Sequence, residues 1–170
     1  MLSTEPSEKW YYDACTLDSK LETFYEIINK GHKSITSHLA IGEGYANCLL
    51  KGNKVSSYEV LDSFVELIKK LQTKGLLEIV GHDKVEPILE KVKDIVPRLS
   101  VTDSLHLATA LHEQCCIFRT IDKDFDGITK PIGEKLAYES GMARFAVSSM
   151  SLKSRDELFR DRKSIHRKKK

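Results

Sequence analysis

The chain has 170 residues and a formal net charge of +2, with 41% hydrophobic and 31% charged residues, a balance that supports one globular core and excludes collagen-like or low-complexity classes. No apolar run reaches the roughly 18 residues of a membrane helix, and the polar start MLSTEPSEKW lacks a secretory apolar stretch, so no membrane association and a cytoplasmic location are expected. The charge is uneven: residues 151–170 hold nine Lys/Arg against three Asp/Glu, whereas residues 1–150 hold 18 against 22. An acidic body, residues 1–150, followed by a basic tail, residues 151–170, suggests an anionic partner such as nucleic acid, or a tail that is simply solvated.

In chain order, Trp10-Tyr11-Tyr12 reads as a short strand ending at Asp13, and Leu17, Leu21, Phe24, Ile27 and Ile28 follow at helical spacing. Gly31 fits a helix C-cap, Ser34-Ile35-Thr36 a brief extended piece, and Ser37 the cap of a helix from His38 to Leu50 that contains Glu43. From Ser56 to Lys74, Leu61, Phe64, Val65, Ile68 and Leu71 make one apolar stripe, with Gly75 as its stop. A strand over Leu76 to Val80 and a helix over Asp83 to Val96 come next; Pro97 breaks that helix, and another begins near Thr102 or Asp103. The latter is small and nearly all apolar, which suggests a central, buried position. Cys116 to Ile121 is a strand candidate closed by Asp122-Lys123-Asp124, Ile132 to Ser140 a short helix before Gly141, and Phe145 to Val147 a last strand. Strands alternating with helices predict an α/β fold, a three-layer α/β/α sandwich around a mainly parallel, Rossmann-like sheet.

The four cysteines, Cys15, Cys48, Cys115 and Cys116, form no C-x-x-C pair, so free thiols are expected and neither a zinc knuckle nor a disulfide framework. The histidines show no metal-ligand spacing; His106 and His112 lie six apart and read as core or surface residues. Acidic residues carry more information, because parallel sheets bind ligands beyond the carboxyl ends of their strands. Asp13 and Asp122 both follow predicted strands. Glu43 lies among Leu39, Ala40, Ile41, Gly42, Gly44 and Ala46, where a lone carboxylate is costly without a cation or a donor. Asp103 alone reads as a helix cap, and Asp122 and Asp124 alone as turn residues. Acids at several independent strand ends and helix starts can nonetheless converge on one pocket, as a hard divalent cation requires.

Four pieces of the chain, Tyr12-Asp13-Ala14, the run from Ser37 to Glu43, the run from Thr102 to Ala110 and the run from Thr120 to Phe125, resemble the PIN-domain nucleases, and the resemblance spans most of residues 8–150. It implies a PIN-like domain over residues 1–150 in which Asp13, Glu43, Asp103 and Asp122 share a metal site, with Asp124 as a fifth acid. Ala14-Cys15 departs from the family, which usually has a hydroxyl residue and then Asn or Ser; Thr16 offers a hydroxyl instead, and Thr120 is placed to orient a carboxylate or a water. The resemblance further implies a metal-dependent endoribonuclease using Mg²⁺ or Mn²⁺, like the toxins of many VapC-type toxin–antitoxin pairs, with RNA as substrate, an antitoxin protein as partner and self-association as a homodimer. The rival reading is a non-catalytic RNA-binding or protein-interaction module that keeps the fold.

Residues 151–170 have no counterpart in the resemblance. Arg155, Arg160, Arg162, Lys163, Arg167 and Lys168 are candidate RNA contacts there, where Arg155 to Lys170 reads as a basic helix with Leu158 and Phe159 on one side or, equally, as a disordered segment. Lys9, Lys33, Arg119 and Lys123 fall near the expected rim of the site, as phosphate contacts or as ordinary surface charges.

Overall fold

In the computed structural model, residues 8–18, 21–29, 31–50 and 57–149 are described; the basic segment with its candidate RNA contacts at Arg155, Arg160, Arg162, Lys163, Arg167 and Lys168, and its expected helix, lies outside them. The alternation read from the sequence becomes strands β1 (Lys9–Tyr12), β2 (Lys33–Ser37), β3 (Leu77–Val80), β4 (Ile117–Thr120) and β5 (Ala146–Ser149). Between them lie helices α1 (Ala14–Asp18), α2 (Leu21–Asn29), α3 (His38–Leu50), α4 (Ser57–Thr73), α5 (Glu86–Ile95), α6 (Val101–His112) and α7 (Lys130–Glu139), with a 3₁₀ turn at Lys123–Phe125. The strands run in the order β3-β2-β1-β4-β5, and every adjacent pair is parallel. The predicted three-layer α/β/α class is what forms.

Strand alternation builds the layers. Tyr11 and Tyr12 are neighbours on β1 and so face opposite sides of the sheet; both are fully buried. Tyr11 joins a core with Val92 of α5, Leu107 of α6, Leu136 of α7 and Phe118 of β4. Tyr12 joins the other core with Leu17 of α1, Ile27 of α2, Ile41 of α3 and Ile68 of α4. Both faces of the sheet are therefore covered, as parallel strands require. The small residues of α6 serve its central position: Ser104 and the whole run from His106 to Leu111 are buried.

The helix boundaries differ from expectation at three places. One helical stretch after β1 is in fact two helices, α1 and α2, and Ile28 is half exposed instead of facing the core. α5 starts at Glu86, not Asp83, because Lys84 takes a positive φ of 67° in the preceding turn, a conformation no helix tolerates. α6 starts at Val101, because its cap is Ser100, whose hydroxyl accepts from the Asp103 backbone N–H. Gly31, Gly75 and Gly141, each expected to end a helix, all have φ between 66° and 69°, the left-handed geometry of a glycine stop.

A close approach fixes Gly133 on α7, where an added Cβ would lie 2.8 Å from the Phe145 carbonyl oxygen. Alanine is ordinarily the better helix former by about 1 kcal/mol, but here the neighbour is backbone and cannot rotate away. Gly133→Ala is expected to lower stability by about 1–3 kcal/mol, the range for overpacking, read as a lower urea midpoint. An unchanged or raised midpoint would show that α7 and the chain before β5 can separate freely.

Among the described residues no helix is long and apolar enough to cross a membrane. None of the four cysteines forms a disulfide. Cys115 is fully buried and its thiol is pushed well up by desolvation, and burial raises Cys116 as well, which favours packing over redox chemistry.

Candidate functional site

The winding of the sheet reverses between β1 and β4: β2 and β3 extend it on one side, β4 and β5 on the other. In such sheets a crevice opens where the carboxyl ends of the two central strands splay. Asp13 follows β1 directly, and Asp122 lies just beyond β4. Their register is fixed by the parallel pairing of Tyr12 with Arg119 and by the Asp13 N–H, which donates to the Arg119 carbonyl at 3.3 Å.

Asp13 is only 4% exposed, yet its carboxylate is well furnished with donors. Its Oδ1 accepts from the Thr16 N–H at 2.8 Å and the Thr16 hydroxyl at 2.6 Å, so Thr16 does supply the hydroxyl that Ala14-Cys15 lacks. Thr120 lies between the two central acids: its hydroxyl accepts from the Asp122 N–H at 2.9 Å and is near enough to Asp13 to favour its charged form. Burial nevertheless raises the Asp13 carboxyl above its ordinary 3.8, outweighing the lowering by the Thr120 and Thr16 bonds and the His106 ring.

Glu43 comes from α3 and finds the donor that its apolar surroundings demand. Its Oε2 lies 2.8 Å from Nε2 of His106 on α6. Asp103 is three residues before His106 and therefore on the same helix face. The Ser100 hydroxyl also donates to Asp103 Oδ2 at 2.6 Å, so Asp103 sits in the first turn bonded to the cap instead of being the cap itself.

Asp13, Glu43, Asp103 and Asp122, predicted from four separate segments, all line one cleft of about 220 Å³, together with His106 and Asn47. Asp124 is not among its lining residues: it is exposed, and its N–H donates to Asp122 Oδ1 at 2.9 Å in the 3₁₀ turn. Among the described residues no three His, Cys, Asp or Glu converge tightly enough to form a ready-made metal cage. The donors are all carboxylate oxygens, which suits Mg²⁺ or Mn²⁺, and Mg²⁺ keeps several waters and needs only one or two carboxylates plus substrate phosphate. The residues present therefore fit such an ion without enclosing it.

Sequence reading does not single out His106 or Asn47. The available signal is helical spacing: His106 is three residues after Asp103, and Asn47 four after Glu43, each sharing a face with a candidate acid. The expected cations at the rim need correction. Lys9 and Lys33 begin their strands and so sit at the opposite edge of the sheet, where Lys9 Nζ donates to the Glu113 carbonyl at 3.1 Å and Lys33 pairs with Glu78 at 2.6 Å. Arg119 is buried, bound to Glu26 at 2.9 Å and to Ser148 Oγ at 2.6 Å. Lys123 remains, exposed and next to Asp122.

No protein-family model matches the sequence, and no curated protein is similar to it. Solved structures are similar in fold. PAE2754 from Pyrobaculum aerophilum superposes with a TM-score of 0.56 at 15% identity, over 83% of this chain and 96% of that one. VapBC2 from Rickettsia felis, crystallised with a DNA fragment from their promoter, gives a TM-score of 0.53 at 10% identity, over 83% of this chain and 98% of that one. The resemblance to PIN-domain proteins of the VapC type extends to the fold, which is the PIN-like three-layer sandwich.

Proposed function

We propose that the chain is a divalent-metal-dependent ribonuclease that hydrolyses RNA phosphodiester bonds, the toxin of a VapC-type pair. The observation that carries this reading is the meeting of Asp13, Glu43, Asp103 and Asp122 in one cleft at the reversal point of the sheet. Asp13 and Asp122 would hold the ion from the strand ends, Glu43 and Asp103 from the two flanking helices. When bound, Mg²⁺ or Mn²⁺ supplies a water of lowered pKa and neutralises phosphoryl charge. The chain's own contribution is orientation: Thr16 fixes the Asp13 carboxylate through its N–H and hydroxyl and so limits the reorganisation it must undergo on binding. Lys123 offers a cation for substrate phosphate beside the anionic cleft. An antitoxin partner is supported by the likeness to VapBC2, and homodimer formation, implied by the same resemblance, is checked by light scattering.

The test is incubation of purified protein with single-stranded RNA in Mg²⁺ or Mn²⁺, beside EDTA and an Asp103→Asn variant. Cleavage by the wild type alone, lost with EDTA and in the variant, is the expected result. Equal cleavage by both proteins would indicate contamination, and RNA retention without cleavage would favour the binding module. Removal of residues 151–170 is expected to weaken RNA binding and flatten its salt dependence, the log–log slope falling by about 0.7 for each phosphate no longer neutralised. Filter binding across a salt series checks this; unchanged affinity and slope would exclude the tail as an RNA-binding element.

A further inference from the structure

The hydrogen bonds behind Glu43 return to the helix that carries it. Glu43 Oε2 meets His106 Nε2 at 2.8 Å, and His106 Nδ1 meets the Tyr11 hydroxyl at 2.9 Å. The Tyr11 hydroxyl also hydrogen-bonds with Ser37 Oγ at 2.8 Å, and Ser37 Oγ accepts from the Ala40 N–H at 3.1 Å, at the start of α3. The path therefore leaves α3 at Glu43, crosses α6, β1 and the end of β2, and closes on α3 one turn earlier. Each member is set by a different element, so the position of the Glu43 carboxylate relative to the sheet is over-determined.

We propose that His106 is a positioning residue for the cleft, holding Glu43 in place to receive a divalent cation, with Tyr11 and Ser37 locking its ring; this rests on the reading of the cleft given above. A carboxylate can only accept, so His106 Nε2 carries the proton of this bond, whichever way the protons beyond it are shared. Burying such a network is costly. His106, Tyr11 and Ser37 are all buried, and a buried polar chain gains little over apolar packing unless all of it is satisfied. Leucine would fill the same space on α6 without needing partners. The Glu43 side chain, 35% exposed, is the one end of the chain that opens to the cleft. It uses Oε2 for His106, and among the described residues no hydrogen bond to Oε1 is seen. The network thus presents one prepared carboxylate oxygen.

Two measurements test this. In metal-free protein labelled with ¹⁵N-histidine, the His106 Nε2 resonance is expected to be that of a protonated nitrogen, and to move on Glu43→Gln. In a Mn²⁺ titration, His106→Leu is expected to weaken binding by about 10–100-fold, the usual cost of losing a ligand's supporting partner. His106→Gln, which keeps an N–H donor, should recover part of that loss. In a Glu43→Gln background His106→Leu should add nothing, because its effect runs through Glu43. If His106→Leu does not fold, Tyr11→Phe takes its place with a smaller loss expected. A histidine resonance indifferent to Glu43→Gln, unaltered Mn²⁺ affinity in the variants, or the same loss with and without Glu43 would each overturn the proposal. Absence of Mn²⁺ binding by the wild type would instead defeat the nuclease reading, and the resonance measurement would still decide whether His106 holds Glu43.

Discussion

Asp13→Asn is expected to remove metal-dependent cleavage and, at the same time, to raise the melting temperature of the metal-free protein at neutral pH. The first effect should reach at least about 100-fold, since losing even an outer partner of a ligand costs 10–100-fold. The second follows from burial. Desolvation raises the Asp13 carboxyl above 3.8, so the folded chain holds this proton more tightly than the unfolded chain does. Stability contributed by this group is then fully present below the unfolded value and is lost as pH rises through the folded one. Ionising this carboxyl is therefore a net cost to folding. Asparagine carries no such cost, and its carbonyl oxygen can still accept from Thr16, while its amide faces the Thr120 hydroxyl. A gain of about 1–2 kcal/mol is expected, in the range for relieving a strained functional site.

Two controls sharpen that prediction. The advantage of Asp13→Asn should shrink as pH falls into the carboxylate range, because the wild-type side chain becomes neutral there too. Adding Mn²⁺ should reverse the order, since a ligand at 100 times its dissociation constant stabilises the form that binds it by about 2.7 kcal/mol. Melting curves with and without Mn²⁺ at two pH values check all of this. A wild type that is more stable than the variant without metal would mean that Thr16 and Thr120 more than offset the burial of the charge.

Arg119→Ala is the second large effect expected, and it concerns folding alone. The Arg119 and Glu26 side chains are each 11% exposed, with Nη2 and Oε2 2.9 Å apart. The Tyr12 hydroxyl also reaches Glu26, at 3.4 Å. Cutting back the arginine takes the cation of this pair away from a buried carboxylate between the sheet and α2, and breaking such a pair from one side costs about 3–5 kcal/mol. Removing both charges with Arg119→Met and Glu26→Leu should recover most of the loss, since apolar replacement of a buried pair is often neutral or better. Urea unfolding of the three proteins checks it; a loss below about 1 kcal/mol in Arg119→Ala would show that water screens this pair.

The same arginine shows where sequence reading stops. Arg119 lies opposite Tyr12 in the register and shares its face of the sheet, toward α2. Its partner is 93 positions earlier in the chain, a separation that no local spacing reveals, so a buried cation reads as one at the rim. Lys9 and Lys33 mislead for a simpler reason: they begin their strands, while ligands collect at the other end. The acids are legible because each sits at a local signal, a strand end for Asp13 and Asp122 and a helix start for Asp103. Glu43 stands out through the expense of its surroundings, and the structure answers with His106. His106 itself is hidden, because a histidine within an apolar helix has no distinguishing pattern until the opposing helix is known. The helix stripes and glycine stops are readable since periodicity and positive φ are local properties.

The most direct measurement is anomalous scattering from crystals equilibrated with Mn²⁺. The account predicts a peak in the cleft bounded by Asp13, Glu43, Asp103 and Asp122, absent from crystals of Asp13→Asn. Strong Mn²⁺ peaks elsewhere on the molecule with none between these carboxylates would contradict it.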